Sequence, residues 1–336
     1  VIVTSVTVRV PAKINLQLAV GPLRPDGYHG LVTVFHAVSL FDDVTVAPAE
    51  TDTVTVSGEG AGLVPADADN LALRAVRALR QAVAERRGAA VVGGIADVDG
   101  SGGGASGAAG DGAVIGSDRA GGVAVTIAKR IPVAGGMAGG SADAAAALVA
   151  CNELWGTGLS QRDLCEVAAA VGSDVAFAVQ GETAVGRGRG ELLAPVQAPA
   201  ETTYHWVLAL ADGHLSTPRV FHALDRQRQD QQVPDPELSR ELMTALSAGD
   251  PVRLGAALSN DLQEPALTLF PALRKTLDAG IAAGALGALV SGSGPTCFFL
   301  AASANDATTL ANALSGAGVC RTVATATGPA AGARVI

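Results

Sequence analysis

The chain has 336 residues, 49% apolar but only 3% aromatic, with a formal net charge of -9. That length suits two domains with cores built mainly from Ala, Val and Leu, and the acidic balance argues against wrapping nucleic acid or lying on an anionic membrane. No apolar run reaches the ~18 residues of a membrane span, and the opening Val1-Ile2-Val3-Thr4 lacks the charged region and apolar stretch of a signal peptide, so a cytoplasmic location is expected.

Alternating apolar and polar residues predict strands over 6–10, 43–46 and 53–56. A helix follows over 70–86, with Leu71, Ala75, Ala78, Leu79 and Ala82 on one face. Residues 93–122 are glycine-rich, have little to bury, and read as a surface insertion. The Gly102-x-Gly104-x-x-Gly107 inside it has no strand before it and no helix after it, so it reads as a chance match. A strand over 123–127 then leads into a second glycine-rich loop, followed by helices over 143–154 and 161–170. Gly172-Ser173-Asp174 interrupts the apolar pattern, and an aspartate there is costly in a core unless it is used or paired. Residues 194–202 read as the linker between domains spanning 1–195 and 203–336. Beyond it come a strand over 206–210, helices near 236–248, 251–257 and 272–283, and a strand pair around 291–294. Cys151, Cys165, Cys297 and Cys320 have no metal-site spacing and read as small buried hydrophobes. Among the histidines, only His29 has a setting that looks chemical.

The chemistry is concentrated in Pro132-Val133-Ala134-Gly135-Gly136-Met137-Ala138-Gly139-Gly140-Ser141-Ala142, which runs into an alanine-rich helix. Glycines let backbone N–H groups gather round an anion, and the helix that begins near Ser141 turns its positive end to the same point. This is a phosphate cradle. It is neither a Walker A loop, since no lysine follows a glycine in that pattern, nor a dinucleotide fingerprint, since Met137 takes the place of the second glycine. A cradle without its own lysine needs a cation from elsewhere, and Lys13 in Pro11-Ala12-Lys13-Ile14-Asn15 is a candidate. Asp174 is the matching carboxylate, able to take a proton from a hydroxyl as it attacks phosphorus.

Together, Pro11 to Leu16, Arg24-Pro25-Asp26-Gly27-Tyr28-His29, the 132–142 loop, Gly172-Ser173-Asp174-Val175 and Ser291-Gly292-Ser293-Gly294 resemble the GHMP kinase superfamily. The resemblance spans nearly the whole chain apart from 93–122 and the last ten or so residues. It implies an α+β, two-domain fold, with an N-terminal domain like ribosomal protein S5 domain 2 and a ferredoxin-like C-terminal domain. It implies ATP with Mg2+ as phosphate donor and a small-molecule acceptor, 4-diphosphocytidyl-2-C-methyl-D-erythritol of non-mevalonate isoprenoid synthesis, phosphorylated at its 2-hydroxyl. By the same resemblance Asp174 is the base, Lys13 polarises the hydroxyl, Asn15 binds beside them, and Tyr28 and His29 hold the cytosine. Asn70 and Lys129 would line the adenine pocket, and Ser141 would meet a phosphate or the metal. A monomer or weak homodimer is expected, with neither nucleic acid nor membrane as partner. Two departures from the pattern stand out. Val185 occupies a place where relatives often carry an aromatic over the second face of the cytosine, which predicts one-sided stacking. Asp143 adds a negative charge near the phosphates unless it caps the helix. A mevalonate- or homoserine-type kinase, or a nucleotide-binding regulator without catalysis, are the competing readings. Tyr28 and His29 weigh against the first, and the joint presence of Lys13 and Asp174 against the second.

Overall fold

Apolar residues alternate from Val6, and the first strand they form runs far past the predicted segment: β1 spans Val6–Leu23 and β2 Val-rich His29–Ala49, joined by the Arg24–Tyr28 turn. A computed structural model describes residues 4–93 and 121–336. The elements after β2 are β3 (Thr53–Gly58), α1 (Leu71–Gly93), β4 (Gly122–Lys129), α2 (Gly139–Trp155), α3 (Gln161–Val171), α4 (Ser173–Gln180), β5 (Thr183–Gly188) and β6 (Leu192–Pro195). A second set comprises β7 (Tyr204–Leu210), α5 (Thr217–Gln227), α6 (Arg240–Ala248), α7 (Pro251–Ala257), the short β8 (Ser259–Asn260), α8 (Gln263–Leu269), α9 (Ala272–Ala282), β9 (Gly287–Val290), β10 (Cys297–Ala301), α10 (Ala304–Ala317), β11 (Thr322–Gly328) and β12 (Arg334–Val335). The stretch read as an insertion lies, over 94–120, outside the described residues.

The strands make an eight-stranded sheet with the central order β12-β1-β2-β4-β3 and a four-stranded sheet ordered β11-β7-β10-β9. In the smaller sheet all three pairings are antiparallel. Counted along the chain its order is fourth, first, third, second, the ferredoxin-like arrangement. Strands β1 to β6 belong to the larger sheet and β7 opens the smaller one, yet β12 returns to pair Val8 and Arg9 on β1, and β8 also pairs with β1.

The middle of β1 is buried on both faces. Side chains alternate across a strand, so Ala12, Ile14 and Leu16 enter the large core while Lys13, Asn15 and Gln17 line up on the opposite face. That face points to the other half of the molecule: Gln17 Nε2 donates to Glu237 O at 2.7 Å, and its Oε1 accepts from Ser239 N at 3.0 Å. The large core fills the space between the eight-stranded sheet and α1 to α4 and continues onto one face of the four-stranded sheet, where Trp206, Leu208, Phe298 and Leu300 meet α6 and α7. Ala142, Ala144 to Leu148, Ala150 and Cys151 of α2 are all buried, as expected for a helix apolar nearly all round whose small side chains allow close approach. A second core gathers under the four-stranded sheet and takes in Leu18 and Val20 from β1. Of the four free cysteines Cys151 and Cys297 are buried, while Cys165 and Cys320 are half-buried, a partial correction to the expectation.

Candidate active site

A cleft of about 620 Å³ lies between the two halves. Its wall carries Lys13 and Asn15 from β1, Thr33 and Phe35 from β2, the glycine loop, the start of α4, and Thr217, Phe221 and Ser293 from the C-terminal half.

The loop is shaped by backbone demands. Ala134 and Ala138 adopt left-handed conformations (φ 53° and 59°), as does Gly136 (φ 78°). A Cβ on Gly136 would lie 2.0 Å from Ser291 O, so only glycine fits there. Ala138 precedes α2 without a capping side chain, which leaves the N–H groups of the first turn without side-chain partners. Gly139, Gly140 and Ser141 face the cleft, so donors and helix dipole converge where a phosphate would sit.

Lys13 is the second component. Its Nζ donates to Asn15 Oδ1 at 2.8 Å and to Gly136 O at 3.0 Å. Asp174 Oδ2 stands 3.9 Å from the same nitrogen, too far for a direct hydrogen bond but close enough for one oxygen atom to contact both. Asn15 Nδ2 donates to Thr33 Oγ1 at 2.8 Å, and Thr33 Oγ1 donates to Gln17 O at 2.7 Å, so the ammonium rests on a braced row. Burial lowers the Lys13 pKa from 10.5, against the opposing charge of Asp174. Asp174 occupies the first turn of α4 and remains partly open to the cleft. The interruption at 172–174 is therefore a helix start, with Gly172 as N-cap.

Of the predicted loop residues, Ala134, Gly135, Gly136, Ala138, Gly139, Gly140 and Ser141 line the cleft. Pro132 and Val133 instead line a smaller cavity of about 190 Å³, which Gly135 also borders. Met137 and Ala142 are buried in the large core; Met137 still contributes its carbonyl, which accepts from Lys13 N at 3.3 Å.

Asn70 and Lys129 are not brought to the cleft wall. Asn70 holds its own turn, Nδ2 donating to Pro65 O at 2.7 Å and Oδ1 accepting from Ala72 N at 2.9 Å. Leu71, one residue on, reaches the cleft instead. Lys129 shares the inward face of β4 with Val123, Val125 and Ile127. Buried there, it donates to Asp42 Oδ2 at 2.6 Å and Asp143 Oδ2 at 2.7 Å. Asp143 thus neither caps α2 nor faces the phosphates; it meets a lysine that the strand's alternation drives into the core.

Tyr28 is exposed at the mouth, with the Arg189 guanidinium 5.4 Å from its ring centroid. His29 is buried, its Nε2 2.8 Å from Asp225 Oδ1 and its ring stacked 5.3 Å from Phe221. Phe221 and Arg189 both line the cleft, so the pair sits at its edge. Val185 lies in the large core, paired with Val34 on β2 and Ala194 on β6. It covers no part of the cleft wall. Sequence reading missed Thr33, Phe35, Arg189, Thr217 and Phe221, which carry no motif and meet only through tertiary contacts; Ser293 was visible in the Ser-Gly-Ser-Gly segment.

An anion cradle facing a lysine and a carboxylate across a two-domain cleft is suited to moving a phosphoryl group onto a small molecule. Residues 110–182 match the GHMP kinases N terminal domain, and residues 242–320 match GHMP kinases C terminal. The chain belongs to the GHMP kinases, ATP-dependent phosphotransferases. A 4-diphosphocytidyl-2-C-methyl-D-erythritol kinase of Thermobifida fusca is 52% identical over 99% of both chains. One of the same name from Mycolicibacterium smegmatis is 52% identical over 99% of this chain and 92% of its own. A crystal structure of 4-(cytidine 5'-diphospho)-2C-methyl-D-erythritol kinase superposes with TM-score 0.69 at 29% identity, covering 95% of this chain and 98% of that one. A homoserine kinase from Cytophaga hutchinsonii, 19% identical with TM-score 0.66 over 100% and 98% of the two chains, shares the fold.

Proposed function

We propose that this chain transfers the γ-phosphate of ATP to the 2-hydroxyl of 4-diphosphocytidyl-2-C-methyl-D-erythritol, as the names of its relatives suggest. The observation that carries the reading is the 3.9 Å gap between Lys13 Nζ and Asp174 Oδ2 beside the first turn of α2. A hydroxyl oxygen in that gap gives its proton to Asp174 and keeps its developing charge beside Lys13. It forms a bond to the γ-phosphorus as the bond to the bridging oxygen breaks, and ADP leaves. The glycine loop and the N–H groups of α2 hold the phosphates in line, so positioning and electrostatics supply most of the rate. Tyr28 offers a flat face to the cytosine, and His29 is held ready by Asp225.

A magnesium ion would be met on this wall by Ser141, a hard oxygen donor beside the phosphate cradle, which leaves Asp174 free to take the proton. Among the described residues no three His, Cys, Asp or Glu side chains gather to cage a metal, so the ion would arrive ligated largely by the nucleotide and would supply neutralisation of phosphate charge. Among the described residues no helix is long and apolar enough to cross a membrane.

The test is a phosphoryl-transfer assay in which ADP release is followed with the cytidylyl alcohol, mevalonate and homoserine. Turnover of the first alone is expected. Preference for either of the others would overturn the substrate reading while leaving the kinase intact.

A further inference from the structure

Among the described residues the cleft wall has three charged side chains, Lys13, Asp174 and Arg189. Lys13 is committed to Asn15, the Gly136 carbonyl and the side facing Asp174. Arg189 is not. It sits in the tight turn between β5 and β6, where Gly188 (φ 74°) and Gly190 (φ 104°) flank it. Gly190 N donates to Arg187 O at 2.9 Å, and Arg189 N donates to Glu191 Oε2 at 2.6 Å, so its backbone is pinned while the side chain projects to the mouth. Among the described residues it forms no ion pair, whereas Arg24 of the neighbouring turn is already paired with Asp26 at 2.5 Å. The guanidinium lies over the Tyr28 ring, which restrains a long side chain without using its N–H donors.

We propose that Arg189 is a specificity-determining residue that binds the diphosphate bridge of the acceptor. The inference rests on the substrate reading above: with a pyrimidine against Tyr28 and the reacting hydroxyl at Asp174, the two phosphates between them must cross the stretch of wall where Arg189 stands. In a protein of net charge -9 an anionic linker needs a local cation, and the planar fork of arginine matches phosphate oxygens two at a time. Arg189 thereby separates acceptors that carry a nucleoside diphosphate from bare alcohols such as mevalonate.

The test compares cytidine and cytidine diphosphate as ligands of the full-length wild type, R189Q and R189K, by titration calorimetry, with an ATP analogue as a control for folding. Wild type should prefer the diphosphate. R189Q should weaken cytidine diphosphate by on the order of 10–100-fold, the loss of one or two charge-assisted hydrogen bonds, while cytidine and the ATP analogue hold within about twofold. R189K, keeping the charge without the fork, should fall between. Equal weakening of cytidine and its diphosphate would overturn the proposal, since Arg189 would then serve the base or the fold, and so would unchanged affinity for the diphosphate. Weakening of the ATP analogue would assign Arg189 to the nucleotide and overturn it as well. The two readings fail separately. A wild type that phosphorylates the cytidylyl alcohol with R189Q unaffected sinks the arginine alone; one that loses cytidine diphosphate in R189Q yet turns over another alcohol sinks the substrate.

Discussion

In the proposed reaction Asp174 and Lys13 divide the chemistry of one oxygen atom, and each makes its own prediction. Asp174→Asn keeps the shape of the α4 start but removes the proton acceptor, so turnover should fall by at least ~10²-fold while an ATP analogue still binds. Unchanged turnover would remove Asp174 from the role of base. Lys13 must be charged to steady the alkoxide, and burial has lowered its pKa from 10.5. The proton is therefore lost at a lower pH than from a free lysine, and activity should decline on the alkaline side below 10.5. Lys13→Arg should shift that decline upward, even at reduced turnover, because arginine stays protonated; a decline at the same pH in both would assign it to another group. At the mouth, Tyr28→Ala should weaken the cytidylyl substrate by about 1–3 kcal/mol and spare an ATP analogue, read by titration with each ligand. Val185→Phe, attractive from sequence as a way to cover the second face of the base, should overpack the core between Val34 and Ala194 and lower the melting temperature instead.

At the scale of elements, β2, β4 and α2 are tied together beneath the glycine loop by Asp42, Lys129 and Asp143. Asp42 accepts from Lys129 and also from Ile131 N at 2.8 Å, which fixes where the loop leaves β4. Two carboxylates thus face one buried ammonium. Burial, opposed by the Lys129 charge and reinforced by Asp42, raises the pKa of Asp143, and its Oδ1 finds no partner among the described residues. A carboxyl whose folded pKa is raised gives stability present below its unfolded value of 3.8 and lost as pH rises through the neutral range. Asp143→Asn, neutral throughout, should escape that loss. Its stability relative to wild type should therefore improve with rising pH in denaturant titrations, and a difference that stays flat would show that Asp143 keeps an ordinary pKa.

Across the whole molecule the two sheets meet at an aromatic seam. His36 of β2 is fully buried, bonds Thr183 Oγ1 at 2.8 Å, and packs edge-on against Tyr204 and Trp206 of β7. Burial pulls its pKa down from 6.5 to about 3. A depressed folded pKa means that stability is intact above 6.5 and is lost as pH falls toward 3, by on the order of 5 kcal/mol if the imidazole stays neutral throughout. His36→Gln should flatten that acid limb in melting curves taken from pH 7 downward, although it should start from a lower stability. An unchanged limb would place the acid sensitivity elsewhere.

The motifs are local, and local residues announced them. Glycine spacing, the Ala-rich run of α2 and the alternation in β1 are consequences of backbone sterics and side-chain period, so the glycine loop and Lys13 were legible in the linear chain, and Asp174 stood out where it broke an apolar run. Strand lengths were not: β1 and β2 continue through stretches where burial on both faces erases the alternation that reveals a strand. The direction of a polar side chain was also hidden. Lys129 and Lys13 each alternate with apolar neighbours on a strand, and only the tertiary packing shows that the first meets Asp42 and Asp143 beneath α2 while the second faces the cleft. Arg189 and Phe221, distant in sequence from Tyr28 and His29, join them because the β5–β6 turn and α5 close over the same mouth. Which chemical groups the protein carries follows from the order of its residues alone; which of them come to share a dielectric, a partner and a cavity follows from how the sheets and helices pack, because burial and proximity across elements arise only there.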